Sequence, residues 1–184
     1  MQIENAFAMP LGFEMLEGVD NETLKKFCLE RQHDLKGQSN LIGWGTEPIK
    51  SLANIVLEQV NQMHSACGLN YKQRFSHVWT NVNRPYPIRT PHTHPCFFTS
   101  IYYVTGGSSL NLINPNNNIE NLIDNTLVKN YNPFNQFIQR IYPRPGLLVT
   151  HPAWLLHYVE EDSNPSEDRI SITFNTVIAK WLKL

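Results

Sequence analysis

Arg169-Ile170-Ser171-Ile172-Thr173-Phe174-Asn175 alternates strictly between polar and apolar side chains. A period of two is the pattern of a β-strand, with Arg169, Ser171, Thr173 and Asn175 on one face and Ile170, Ile172 and Phe174 on the other. If the isoleucine face packs between two sheets, the polar face looks into a cavity. A polar row inside a barrel needs a partner. A carboxylate suits it, because a guanidinium binds one through two parallel hydrogen bonds. The plain alternative is a strand whose polar face meets solvent.

Outward from this stretch, the chain from Tyr71 onward reads as short strands between turns. The expected strands are Phe75 to Asn81, Phe97 to Thr105, Leu110 to Ile113, Phe137 to Tyr142, Leu147 to Thr150, Leu155 to Val159 and Arg169 to Val177. Gly106-Gly107 and Pro143-Arg144-Pro145-Gly146 mark tight turns. Many short strands suggest an antiparallel double sheet of jelly-roll type. The N-terminal third reads as helical instead. Asp20 or Asn21 caps a helix that carries Leu24, Phe27 and Cys28 on one face. A second helix takes Thr46 as N-cap and Pro48 in its first turn. It places Ile49, Leu52, Val56, Val60, Met63 and Cys67 at helical spacing, and Gly68 stops it. These helices are expected to pack on the outside of the sheet. The expected fold is thus mainly β with N-terminal helices, one domain over residues 1–184, in which 1–70 give helical support and 71–184 form the jelly-roll core. The asparagine-rich stretch Asn111 to Asn135 reads as a long loop, either a lid over the open end or a plain surface insertion.

Composition narrows the function. A chain of 184 residues with 41% hydrophobic residues and a net charge of -1 is a globular domain. That charge gives no electrostatic reason to expect nucleic acid or an anionic membrane as partner. No apolar run approaches the roughly 20 residues of a membrane span, and Met1 to Glu14 do not read as a signal peptide. Cys28, Cys67 and Cys96 are odd in number and widely spaced, so neither a disulfide framework nor a Cys-x-x-Cys zinc site is expected. A reduced, cytoplasmic protein is the expectation.

The residues that carry chemistry are histidines. His92-Thr93-His94, placed on a strand, would turn both side chains to one face, where both reach one metal. Imidazole suits iron, zinc, copper and nickel alike. The bland alternative is a pair of surface histidines between Pro91 and Pro95. His157 follows an apolar strand and a proline turn, and begins the next strand beside His92 and His94 in an antiparallel barrel. A structural pairing with Glu160 or Glu161 is the alternative. His151 reads as a neighbouring or structural residue. Tyr103 shares a strand face with Thr99 and Ile101, which lets its hydroxyl complete a carboxylate pocket beside Arg169, the alternative being a buried tyrosine with a structural hydrogen bond; Tyr102 faces the core. Asn81 and Asn83 share a face and line the same cavity.

Taken together, Pro91-His92-Thr93-His94-Pro95, Thr99 to Val104, Gly146 to Val149 leading into Pro152 to His157, and Arg169-Ile170-Ser171 resemble the iron(II)/2-oxoglutarate-dependent dioxygenases. The likeness is closest to the prolyl-hydroxylase-like branch and to the small oxygenases of marine bacteria and their phages. The resemblance implies a double-stranded β-helix, the cupin-like jelly roll, with iron(II) held by His92 as first ligand and His157 as distal histidine; His94 is expected as the third ligand of a three-histidine site, the alternatives being a carboxylate from elsewhere or a histidine that is not a ligand. It implies that Arg169 and Ser171, supported by Tyr103, hold the far carboxylate of 2-oxoglutarate. It further implies that molecular oxygen and a protein or peptide side chain, or a small metabolite, are the remaining partners, and a homodimer is an open assembly. His94 departs from the pattern, since that position is usually aspartate. Two other classes therefore stay open: a cupin-like three-histidine iron dioxygenase without 2-oxoglutarate, and a non-enzymatic jelly-roll binding module.

Overall fold

The computed structural model describes residues 2, 8–31, 39–69, 71–83, 89–116, 124, 126, 128–132, 135–160 and 168–181. Two antiparallel sheets face each other. The larger contains β1 (Gly12–Met15), β2 (Ser39–Leu41), β3 (Tyr71–Asn83), β5 (Phe98–Tyr103), β8 (Leu147–Pro152) and β10 (Arg169–Trp181), in the order β1-β8-β5-β10-β3-β2. The smaller contains β4 (Arg89–His92), β6 (Leu110–Ile113), β7 (Ile138–Ile141) and β9 (His157–Val159), in the order β4-β9-β6-β7. Every strand pairing is antiparallel. This is the expected double-stranded β-helix. Part of the Asn111 to Asn135 stretch, residues 117–123, 125, 127 and 133–134, lies outside the described residues, and its first three residues belong to β6.

Two helices cover the outside of the larger sheet. Helix α1 (Asn21–Glu30) starts where the Asp20 carboxylate accepts from the Thr23 backbone N–H at 3.0 Å and from its hydroxyl at 2.6 Å. Helix α2 (Ile49–Ala66) starts two residues later than the Thr46 cap implies. Pro48 is its N-cap, without a capping side chain, and Thr46 contributes its carbonyl to the N–H of Lys50. Gly68, at φ +72°, ends it as expected. The buried stripe of α2 is Ile49, Leu52, Ala53, Val56, Val60 and His64. Cys67 falls outside it and is exposed, because it sits past the last helical turn.

The helices decide which face of β10 is core. Ile170, Ile172 and Phe174 pack with Leu24, Phe27, Leu52 and Val56, between the larger sheet and the helices rather than between the two sheets. The expectation that the isoleucine face lies between sheets is corrected: the apolar layer is outside the barrel, where amphipathic helices supply the matching surface. The space between the sheets is apolar at one end, where Ile101, Tyr103 and Val149 meet Leu110, Leu112, Ile141 and Leu155. The polar face of β10 looks into that interior, as the alternation required.

Three short strands were not legible in the sequence. β1 and β2 pair with β8 and β3, so the N-terminal 70 residues extend the larger sheet as well as cover it. β4 ends at His92.

Candidate metal centre

The register of β4 against β9 places His92 directly opposite His157. His94 lies beyond the end of β4, so the His-x-His pair does not share one strand face as expected. Its backbone N–H instead donates to the Ala153 carbonyl at 2.9 Å, which ties it to the turn before β9. The three rings nevertheless converge. Their centroids are 5.1 Å (His92–His94), 4.5 Å (His92–His157) and 5.1 Å (His94–His157) apart, and one ligand-type atom from each lies within 4.8 Å of the others.

Hydrogen bonds orient two of these rings. His92 Nδ1 lies 2.8 Å from the Thr90 carbonyl, and His157 Nδ1 lies 2.8 Å from the Leu155 carbonyl. A carbonyl only accepts, so each Nδ1 carries the proton and each Nε2 keeps its lone pair. Burial, with His92 and His151 nearby, pushes His94 down to about 4, and burial, with His151 first among its neighbours, pushes His157 down to about 3. Both are therefore neutral donors at physiological pH, which is the form a metal requires.

A cavity of about 240 Å³ joins this cluster to the start of β10. Arg169, Ser171 and Thr173 of β10, with Asn81 and Asn83 of β3, line it together with the three histidines. Register makes this row: Arg169 is opposite Asn83, and Ser171 is opposite both Asn81 and Tyr103. Asn81 donates to Thr173 Oγ1 at 3.1 Å. Trp79, two residues before Asn81 on the same strand face, also lines the cavity and stands 5.4 Å from the His94 ring. Sequence reading overlooked it, although the alternation that pairs Asn81 with Asn83 also reaches Trp79.

Arg169 is 4% exposed. Its described partners are neutral: Nε donates to the Ser108 carbonyl at 3.1 Å, Nη1 donates to Ser171 Oγ at 3.4 Å, and its guanidinium carbon lies 5.1 Å from the Tyr103 ring centroid. Tyr103 is fully buried, opposite Ser171 on the neighbouring strand and against the Arg169 guanidinium. Burial raises its pKa, and the nearby Arg169 opposes that rise. Its hydroxyl has no hydrogen-bond partner of good geometry, and neither has the buried Asn83 Oδ1. A buried cation whose described partners are all neutral, beside a phenol whose hydroxyl makes no hydrogen bond of good geometry, fits a bound carboxylate. The donor sets thus fit both groups that the resemblance implied, a transition metal at three imidazoles and a dicarboxylate reaching Arg169.

His151 is fully buried on β8, with its ring 4.8 Å from that of His157. Its Nδ1 donates to the Pro152 carbonyl at 2.9 Å, and its Nε2 has no partner. It stands beside the cluster, in agreement with its reading as a neighbouring residue. Tyr102, on the opposite face from Tyr103, donates to Asn21 Oδ1 at 2.8 Å and joins the core.

The jelly-roll fold and a family match together make this an oxygenase of the jelly-roll class. The family described as "Putative 2OG-Fe(II) oxygenase" matches residues 77–175, more than half of the chain, and the chain belongs to that family. Its cofactor and co-substrate are iron(II) and 2-oxoglutarate. Among curated proteins, no sequence matches significantly. Solved structures share the fold. A prolyl-4-hydroxylase from Pseudomonas putida is similar at a TM-score of 0.64 and 12% identity, covering 91% of this chain and 92% of that one. HygX from Streptomyces hygroscopicus, with nickel and 2-oxoglutarate bound, is similar at 0.62 and 10%, covering 93% and 83%. The viral collagen prolyl hydroxylase of Paramecium bursaria Chlorella virus-1, in its 2-oxoglutarate complex, is similar at 0.59 and 13%, covering 90% and 94%.

Proposed function

We propose that this protein is a hydroxylase in which His92, His94 and His157 hold iron(II) while Arg169, Ser171 and Tyr103 hold the far carboxylate of 2-oxoglutarate. The observation that carries the reading is Arg169, buried with neutral partners in the cavity that the three histidines share. Iron(II) with 2-oxoglutarate supplies oxidation by molecular oxygen, coupled to loss of carbon dioxide from the co-substrate.

The chain's own residues bind, orient and enclose. Thr90 and Leu155 carbonyls fix the His92 and His157 tautomers, so that Nε2 is the donor atom of each ring. The Ser108 carbonyl and Ser171 hydroxyl hold the guanidinium in place before any ligand arrives. Tyr103 stays protonated at neutral pH, so its hydroxyl donates to a carboxylate oxygen. Asn81 and Asn83 line the route between the two halves. The oxidation requires no side-chain general base, and the described cavity lining contains no carboxylate. The prime substrate is proposed to be a protein or peptide side chain, with a small metabolite as the alternative, and the proposed location is the cytoplasm. Family membership favours 2-oxoglutarate use over a cupin-like dioxygenase without it.

The test is an anaerobic titration of iron(II)-loaded protein with 2-oxoglutarate, following the visible charge-transfer band of the chelate. The wild type should give the band. His157→Ala should lose both iron and band. Arg169→Ala should keep iron but weaken 2-oxoglutarate by about 30-fold or more, the usual cost of removing one partner of a buried charged pair. Iron binding without the band in the wild type would transfer the protein to the cupin-like class.

A further inference from the structure

Counted over the described residues, the charges at this centre do not balance, and the imbalance points to a substrate class. The reasoning rests on the proposed assignment of iron(II) and 2-oxoglutarate. An imidazole that holds a metal is a neutral ligand, so the three histidines of the cluster, His94 among them, bring no charge. Iron brings two positive charges and Arg169 a third, whereas 2-oxoglutarate brings two negative ones. One positive charge is left over beside the buried Arg169 and His157, where an unpaired charge is costly.

No described carboxylate cancels it. Among the described residues that line the cavity there is no aspartate or glutamate. Glu160 follows the cavity residue Val159, but its carboxylate is turned away. It accepts from Ser109 Oγ at 3.0 Å and Asn111 Nδ2 at 3.5 Å, and pairs with Arg140 at 3.5 Å. The remaining cavity wall offers only neutral groups: Trp79, Asn81, Asn83, Ser171 and Thr173. The cluster is approached from the side of His92 and His94, which are half-buried, while His157 is 3% exposed.

We propose that the site takes a second anion beside the metal on the His92–His94 side, and that the prime substrate supplies it as a carboxylate. The substrate is then an acidic molecule or an acidic side chain, bound next to the group it presents for oxidation. A neutral or cationic substrate would leave the extra charge uncompensated. His94 sets this preference, because an aspartate there would supply the missing negative charge from the protein.

The experiment uses the anaerobic iron(II)–2-oxoglutarate complex and three probes at constant ionic strength: acetate, acetamide and chloride. Binding is read from the shift of the charge-transfer band and by calorimetry. Acetate should shift the band saturably without abolishing it, and acetamide should not. His94→Asp, loaded with iron and 2-oxoglutarate, should bind acetate at least tenfold more weakly. Equal effects of acetate and acetamide would overturn the proposal. So would equal acetate affinity in wild type and His94→Asp, or loss of the band through displacement of 2-oxoglutarate. Chloride binding as tightly as acetate would overturn the assignment to the substrate, in favour of a free inorganic anion. A wild type without any band refutes the iron and 2-oxoglutarate reading itself. A normal band that acetate leaves untouched refutes only the second anion.

Discussion

Gly107 stands at φ +117°, and a Cβ added there would lie 2.9 Å from Arg169 Cβ. The turn between β5 and β6 therefore sets how the arginine is seated, since the next residue, Ser108, also accepts from Arg169 Nε. Gly107→Ala is expected to strain the turn and push the guanidinium aside. The 2-oxoglutarate Kd should rise several-fold while iron stoichiometry stays at the wild-type value, measured by anaerobic titration and metal analysis on the same preparation. An unchanged Kd would mean that Arg169 does not depend on this contact. Gly106-Gly107 is readable as a turn in the sequence, but the closeness of Gly107 to a residue 62 positions later is not. The same holds for His94. Its residue type is legible, whereas its tie to the Ala153 carbonyl exists only once β8 and β9 are in place.

At the scale of elements, α2 is the buttress of the larger sheet. Its buried Leu52 and Val56 pack on the same cluster as Ile170, Ile172 and Phe174 of β10, whose opposite face carries Arg169 and Ser171. Leu52→Ala should lower unfolding free energy by about 2–5 kcal/mol, the range for truncating a buried leucine, as read from urea denaturation of the metal-free protein. Iron stoichiometry of the folded variant should match the wild type, because Leu52 touches the support and not the cluster. A loss below 1 kcal/mol would mean that the helix is not part of the core. Long periodic elements were legible: α1 with its Asp20 cap, α2 with its Gly68 stop, and β10 with its alternation. Of the strands of three or four residues, β6, β7 and β9 were legible as apolar runs between turn signals, whereas β1, β2 and β4 were not, because they carry no such run and too few side chains to establish a period. β4 matters most, since its register with β9 sets His92 against His157.

For the whole molecule, the buried histidines make acid a destabilising agent. His64 is 1% exposed and sits edge-on to Tyr71, Phe97 and Phe98, with neither ring nitrogen hydrogen-bonded in good geometry. Burial lowers its pKa from 6.5. The unfolded chain thus takes up a proton near pH 6.5 that the folded chain refuses, so the stability is present above that pH and declines as pH falls below it. His151, pushed down to about 4 by burial, acts in the same direction. The urea midpoint of metal-free protein should fall between pH 7.5 and pH 5, and His64→Leu should make that fall shallower. A midpoint independent of pH would show that His64 is accessible to protons in the folded state. Sequence alone determined the class of elements, the polar face of β10 and the residue types for metal and carboxylate, because periodicity and side-chain chemistry are local properties. Tertiary structure alone decided that the helices, not the second sheet, cover the isoleucine face, and that Arg169 is buried with neutral partners. It also decided that His92 and His94 meet His157 from a distant segment, since convergence depends on strand register across the barrel.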